Sequence, residues 1–145
     1  MLRYKFINHT ADIEFIAYGR ELDEAFKNAL LALFDAIAYV GKLKRAGGKT
    51  KTIAISATGA DKESLLWASL QTSLSVCDAK GVFAYGVGKL SIKTYKSGAY
   101  GLRAKLLVKG KCPECAKFDV KGISKYDMKV EHKNKAVKAY VVIDV

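Results

Sequence analysis

Proline occurs once in the 145 residues and cysteine three times, and acids are scarce, with fourteen Asp and Glu against twenty-five Lys and Arg. A single proline in a chain that is 50% hydrophobic excludes the low-complexity and disordered classes and fits a folded globular domain. No apolar run approaches the ~20 residues that a membrane-spanning helix needs. The N-terminus, Met1-Leu2-Arg3-Tyr4-Lys5, enters a strand-like pattern with no long apolar stretch of the signal-peptide kind. These absences lead to the expectation of a cytoplasmic protein with no membrane association. The odd cysteine count, without a leader, argues against a disulfide framework. Cys112-Pro113-Glu114-Cys115 has the spacing of half a zinc knuckle or of a redox pair. A closed zinc site takes four ligands, and the other soft candidates, Cys77, His9 and His132, form no second close pair. The expectation is a turn with two incidental cysteines, no zinc and no obligatory disulfide.

Catalytic motifs are also missing. There is no serine elbow, no HExxH and no GxxxxGK[ST]. Gly86-x-Gly88 lacks a third glycine and a following helix, so it is not a dinucleotide fingerprint. Nothing points to a Cys–His pair, and the chain is not expected to be an enzyme.

What is abundant is positive charge, +11 at neutral pH. Such a field draws RNA, DNA or an acidic protein surface, although solubility alone also accounts for it. The charge gives attraction without sequence specificity. The stretch Gly41-Lys42-Leu43-Lys44-Arg45-Ala46-Gly47-Gly48-Lys49 is basic and glycine-rich and reads as a mobile loop. Lys42, Lys44, Arg45 and Lys49 are its candidate RNA contacts.

The length fits one domain, residues 1–145, around a single core. Short extended runs are expected at 3–7 and 14–18. Leu22, Phe26, Ala29, Leu30, Leu33, Phe34 and Ile37 then recur at helical spacing and predict a helix over 22–39, with Gly41 just past its end. Alternation over 50–57 predicts a half-buried strand. Asp61 is a candidate N-cap for a second helix that buries Leu65, Leu66, Leu70 and Leu74, takes Trp67 as packing, and ends before Gly81. Strands are expected at 82–87, 90–95, 102–109, 118–123, 128–132 and 136–143. In the last, Val137, Ala139, Val141 and Ile143 share one face. This order predicts an α+β fold, a largely antiparallel mixed sheet with two helices packed on one face.

Two acids bound apolar runs near opposite ends of the chain, Asp12 in Phe6-Ile7-Asn8-His9-Thr10-Ala11-Asp12-Ile13 and Asp144 in Val142-Ile143-Asp144-Val145. A carboxylate in such a place is exposed, or is held by a cation or by backbone donors. If the first and last strands meet, the two form a hard-cation site suited to Ca²⁺, Mg²⁺ or Mn²⁺ and not to zinc. Otherwise Asp12 is a turn acid and Asp144 a terminal surface acid.

The His9-Thr10-Ala11-Asp12-Ile13 block is followed by Leu22-Asp23-Glu24-Ala25-Phe26-Lys27-Asn28-Ala29-Leu30-Leu31-Ala32-Leu33-Phe34. A helix with Leu65-Leu66 and Trp67 comes next, and the chain closes on Ile143-Asp144-Val145. In order and length, over nearly the whole chain, this resembles the archease family. The resemblance implies a metal held by Asp12, Asp144 and Val145, the last through a main-chain or terminal oxygen, with Ca²⁺ foremost and Mg²⁺ or Mn²⁺ as alternatives. It implies a tRNA-splicing RNA ligase as partner, whose guanylylation and multiple turnover the protein would promote as a non-enzymatic accessory factor. The alternative is a basic RNA-binding or RNA-chaperone domain, contacting tRNA or other RNA, with no ligase role. The departures fall on the partner surface. The second helix carries Ala68-Ser69-Leu70-Gln71 where acids are usual after the tryptophan. The late loop reads Gly110-Lys111-Cys112-Pro113-Glu114-Cys115 where Gly-Glu and further acids are usual, and Asn8 replaces a frequent acid.

Overall fold

The structure is a computed structural model that describes residues 2–7 and 12–145. The His9-Thr10-Ala11 part of the N-terminal motif lies outside the described residues. The elements run β1 (Tyr4–Ile7), β2 (Ile13–Gly19), α1 (Leu22–Ile37), α2 (Val40–Arg45), β3 (Lys51–Gly59), α3 (Lys62–Lys80), β4 (Val82–Thr94), β5 (Tyr100–Gly110), a 3₁₀ turn (Pro113–Cys115), β6 (Gly122–Ile123), β7 (Lys129–Lys133) and β8 (Ala136–Asp144). All strand pairs are antiparallel. They form two sheets: β1-β2-β8-β6, with β7 also on β8, and β3-β5-β4.

The α+β class and the antiparallel pairing are as the sequence predicts. The arrangement has one more helix and one more sheet. α1 packs on β2 and β8 of the first sheet and on β4 of the second, while α3 packs on β3, β4 and β5 and also on β6 and β7. Both helices are thus shared between the sheets. This explains why α1 buries residues almost all round, from Ala25 and Phe26 through Asn28 to Phe34. Phe15, Phe26, Leu33, Leu70, Leu106 and Ile143 are at most 1% exposed. Each such side chain contributes roughly 1.5–3 kcal/mol by leaving water.

Two β–α corners are built alike. Gly19 ends β2 and Gly59 ends β3, and each helix starts three residues on. A Cβ on Gly19 would lie 2.3 Å from the Ala25 nitrogen, and one on Gly59 would lie 2.4 Å from the Leu65 nitrogen. Only glycine lets the helix backbone come this close to the strand end. Asp61 caps α3, accepting from the Ser64 amide at 2.7 Å, and this bond holds its carboxyl below the usual carboxylate range. Gly81 closes the same helix in the left-handed conformation, φ 64°, where a side chain would be strained.

α1 stops two residues short of the expected end. The Tyr39 amide donates to the Cys115 carbonyl at 2.7 Å, the Lys117 amide to Ile37 at 2.9 Å, and Ala38 bridges Ala116. This pairing pulls Ala38 and Tyr39 into extended conformation against their helical spacing. The expected loop at 41–49 holds instead the six-residue α2, with Gly41 inside it and Leu43 fully buried against the group of Ala38, Phe83 and Cys115. The expected strands 82–87 and 90–95 form one strand with irregular register at Ala84/Gly86 and Val87/Leu90. The strand expected at 118–123 shrinks to two residues.

The turn expected to carry two incidental cysteines and no obligatory disulfide instead joins them, Cys112 and Cys115 being disulfide-bonded. The 3₁₀ turn begun by Pro113 brings their Cα atoms to 5.2 Å, inside the range for a disulfide. Compartment and cysteine count carry no information about that local geometry. Cys77 is free and buried on α3, and burial, then the neighbouring Asp78 carboxylate, push its thiol up to about 11. A thiol titration at pH 8 without reductant should therefore detect almost nothing in the folded protein and one thiol per chain in denaturant. Three thiols in denaturant would contradict the disulfide.

Candidate functional site

The pairing of β2 with β8 is continuous from Gly19↔Val137 to Ile13↔Ile143. Asp12 directly precedes Ile13 and Asp144 directly follows Ile143, so each acid is one residue along the chain from the last paired row. On its other side Asp144 pairs with Gly122 of β6, and its carbonyl accepts from the Lys121 amide at 2.8 Å. Val145 follows directly and is 37% exposed. Asp144 and Val145 therefore lie at the end of the first sheet where the β2–β8 pairing stops, and Asp12 adjoins that end in sequence.

α3 holds β6 against this end. Trp67 Nε1 donates to the Ile123 carbonyl at 2.9 Å, and the Ile123 amide donates to Gln71 Oε1 at 3.3 Å. Gln71 Nε2 donates in turn to Ser75 Oγ at 3.2 Å, which fixes which way the amide points. A Cβ built on Gly122 would stand 3.9 Å from Gln71 Oε1 and 4.0 Å from Asp144 Oδ2. Two side-chain oxygens from different elements thus face the space above a glycine. Trp67, read from sequence as packing, is also a hydrogen-bonding clamp, and the Lys125 ammonium lies 4.0 Å from its ring centroid. Gln71 was missed from sequence because only its spacing from Trp67, one helical turn on, hints that both face β6.

The donors named at this end are all oxygens: two carboxylates, the Gln71 amide, and the Val145 main chain. That chemistry fits a hard cation and not a soft one. Among the described residues, Cys112, Glu114 and Cys115 also bring ligand atoms within 4.8 Å of one another. With its sulfurs bonded to each other this group offers no thiolate. His132 is occupied otherwise, lying in β7 where Lys62 Nζ donates to its Nε2 at 3.0 Å. Among the described residues no helix is long and apolar enough to cross a membrane.

A profile of the Archease protein family (MTH1598/TM1083) matches residues 4–145. The chain belongs to the archease family. The archease of Pyrococcus furiosus is 39% identical over 133 residues, 90% of this chain and 89% of the relative. That of Methanosarcina acetivorans is 31% identical over 147 residues, covering 99% and 96%. The solution structure of Methanobacterium thermoautotrophicum protein 1598 superposes with a TM-score of 0.80 at 25% identity over 99% of both chains. The crystal structure of a Thermotoga maritima archease, described as a possible chaperone, has the same fold, with a TM-score of 0.60 at 16% identity over 97% and 96%.

The clamp predicts a measurable cost. Trp67→Phe keeps the ring and removes the bond to Ile123, and should lower unfolding free energy by about 1 kcal/mol. Urea unfolding reads it, and an unchanged midpoint would show that the bond adds nothing to stability.

Proposed function

We propose that this protein is an accessory factor of a tRNA-splicing RNA ligase, promoting ligase guanylylation and multiple turnover through a divalent cation held by Asp12, Asp144 and Val145. The observation that carries this reading is the β2–β8 register in an archease-family chain, whose last row, Ile13↔Ile143, is one residue from Asp12 on one strand and from Asp144 on the other. The space above Gly122, flanked by Gln71 and Asp144 oxygens, supports it. When bound, Ca²⁺, or Mg²⁺ or Mn²⁺ in its place, supplies a positive centre able to attract a phosphate or carboxylate oxygen of the partner.

The chain's own part is to hold and present. Asp12 and Asp144 supply charge, and Val145 supplies a main-chain oxygen. Gln71 orients β6 through Ile123, and Lys121 fixes the Asp144 backbone. The description of the Thermotoga maritima relative as a possible chaperone is consistent with assistance.

The direct test is multiple-turnover ligation of tRNA halves by the ligase of the same genome. The parent protein should raise turnover, and Asp12→Ala and Asp144→Ala should abolish the stimulation. Asp144 is exposed, so its replacement should change stability by no more than about 0.5 kcal/mol. Ligase turnover that is the same with and without the parent protein would overturn the reading.

A further inference from the structure

On the outer face of the three-stranded sheet, α2 and the 3₁₀ turn cover the Phe83 and Lys109 end, while the part around Arg103 and Lys105 is exposed among the described residues. On β5, Leu102, Ala104, Leu106 and Val108 are buried toward the helices. Arg103 and Lys105 alternate with them and are exposed. The ladder puts Ser56 and Ser91 on either side of Arg103, and Thr58 and Lys93 on either side of Gly101. Lys89, at the β4 irregularity, lines the same open depression as Arg103 and Lys105, about 550 Å³ in volume. No acid occurs anywhere in β3, β4 or β5. Among the described residues none of Lys89, Lys93, Arg103 or Lys105 forms an ion pair. Asp23 reaches the sheet only at its edge, accepting from the Ile92 amide at 3.4 Å.

An aromatic ring lies among these cations. A Cβ on Gly101 would come within 2.6 Å of the Tyr95 hydroxyl and 3.0 Å of its Cε2. The ring therefore rests on the bare glycine of the central strand, and Tyr95 is still 44% exposed. Lys93 Nζ is 5.6 Å from the ring centroid. Cations without acids would suit any polyanion. An exposed ring beside them favours one that carries bases to stack.

We infer that this face binds single-stranded nucleic acid, with Lys89, Lys93, Arg103 and Lys105 on successive phosphates and a base stacked on Tyr95. Arg103 and Lys105 are two residues apart on one strand face, ~6.8 Å, comparable with the step between neighbouring phosphates of an extended strand. Ser56, Thr58 and Ser91 supply hydroxyls to phosphate or sugar oxygens. The surface belongs to the second sheet, and the inference does not depend on the cation site. It also moves the RNA contacts away from the basic stretch expected at 41–49. There Lys42 lies 4.6 Å from the Tyr39 ring centroid, and Lys44 sits in α2.

The test is fluorescence anisotropy of a labelled single-stranded RNA oligonucleotide against the full chain over a salt series. The parent should bind, with affinity falling as salt rises. Arg103→Ala combined with Lys105→Ala should weaken binding at least tenfold and lower the log–log salt slope by about 1.4, at ~0.7 per lost phosphate contact on a single strand. Tyr95→Ala should weaken binding about tenfold with little change in that slope. Tyr95→Phe, which keeps the ring on Gly101, should bind like the parent and guards against a folding defect. Lys42→Ala combined with Lys44→Ala, and Asp144→Ala, should both leave RNA binding unchanged. No binding by the parent, or loss with the Lys42 and Lys44 pair equal to that with the Arg103 and Lys105 pair, would overturn the inference. Displacement of the RNA by polyglutamate at equal charge concentration, with no effect of Tyr95→Ala, would assign the face to an acidic protein instead.

Discussion

The β2–β8 ladder joins the two ends of the chain, with Phe15 opposite Val141, Ala17 opposite Ala139 and Ile13 opposite Ile143. These facing residues are at most half-buried at Ile13 and fully buried at the rest. A slip of one residue would turn each of them to the other face, so core burial fixes the register. Fixing the register also fixes which residues emerge just past the last buried row, and those are Asp12 and Asp144. The candidate site is thus a consequence of core packing, with no loop geometry of its own needed to align it.

The rest of the fold holds that ladder in place. α1 lies on it, and Asn28 Nδ2 donates to the Tyr18 carbonyl at 2.7 Å. On the outer strand, Tyr4 donates to Asp35 at 3.2 Å, and burial, then the Asp35 charge, push its hydroxyl up to about 12. α3 reaches the ladder through Trp67 and Gln71, which hold β6 beside Asp144. The same helix packs its other side on β3, β4 and β5. One layer of helices thus supports two surfaces of opposite character, an oxygen-rich end on the first sheet and a basic face on the second.

The elements legible in sequence were those whose local signals and tertiary contacts agree. Asp61 and Gly81 bound α3 as cap chemistry predicts, and Val137, Ala139, Val141 and Ile143 alternate into the core as written. The failures came where distant chain decides. Ala38 and Tyr39 carry helical spacing but pair with residues around Cys115. α2 offers a single buried apolar residue, Leu43, too little for periodicity to register. Phe118 is 49% exposed and outside any strand, although its segment reads as one. At the site, the acids were visible because each bounds an apolar run. Gln71 was not, because its relevance depends on β6 coming to lie beside α3. The Cys112–Cys115 bond depends on a turn that composition does not reveal. The basic face was hidden in another way, since net charge is read over the whole chain and Arg103, Lys105, Lys89 and Lys93 come together only through pairing.

Calcium titration by isothermal calorimetry bears most directly on the proposal that Asp12 and Asp144 share one hard cation. The parent protein should bind one ion, and Asp12→Asn and Asp144→Asn should each lose it while keeping the parent's unfolding free energy in urea titration within about 0.5 kcal/mol. Equal binding by both variants, or no binding of Ca²⁺, Mg²⁺ or Mn²⁺ by the parent, would contradict the account.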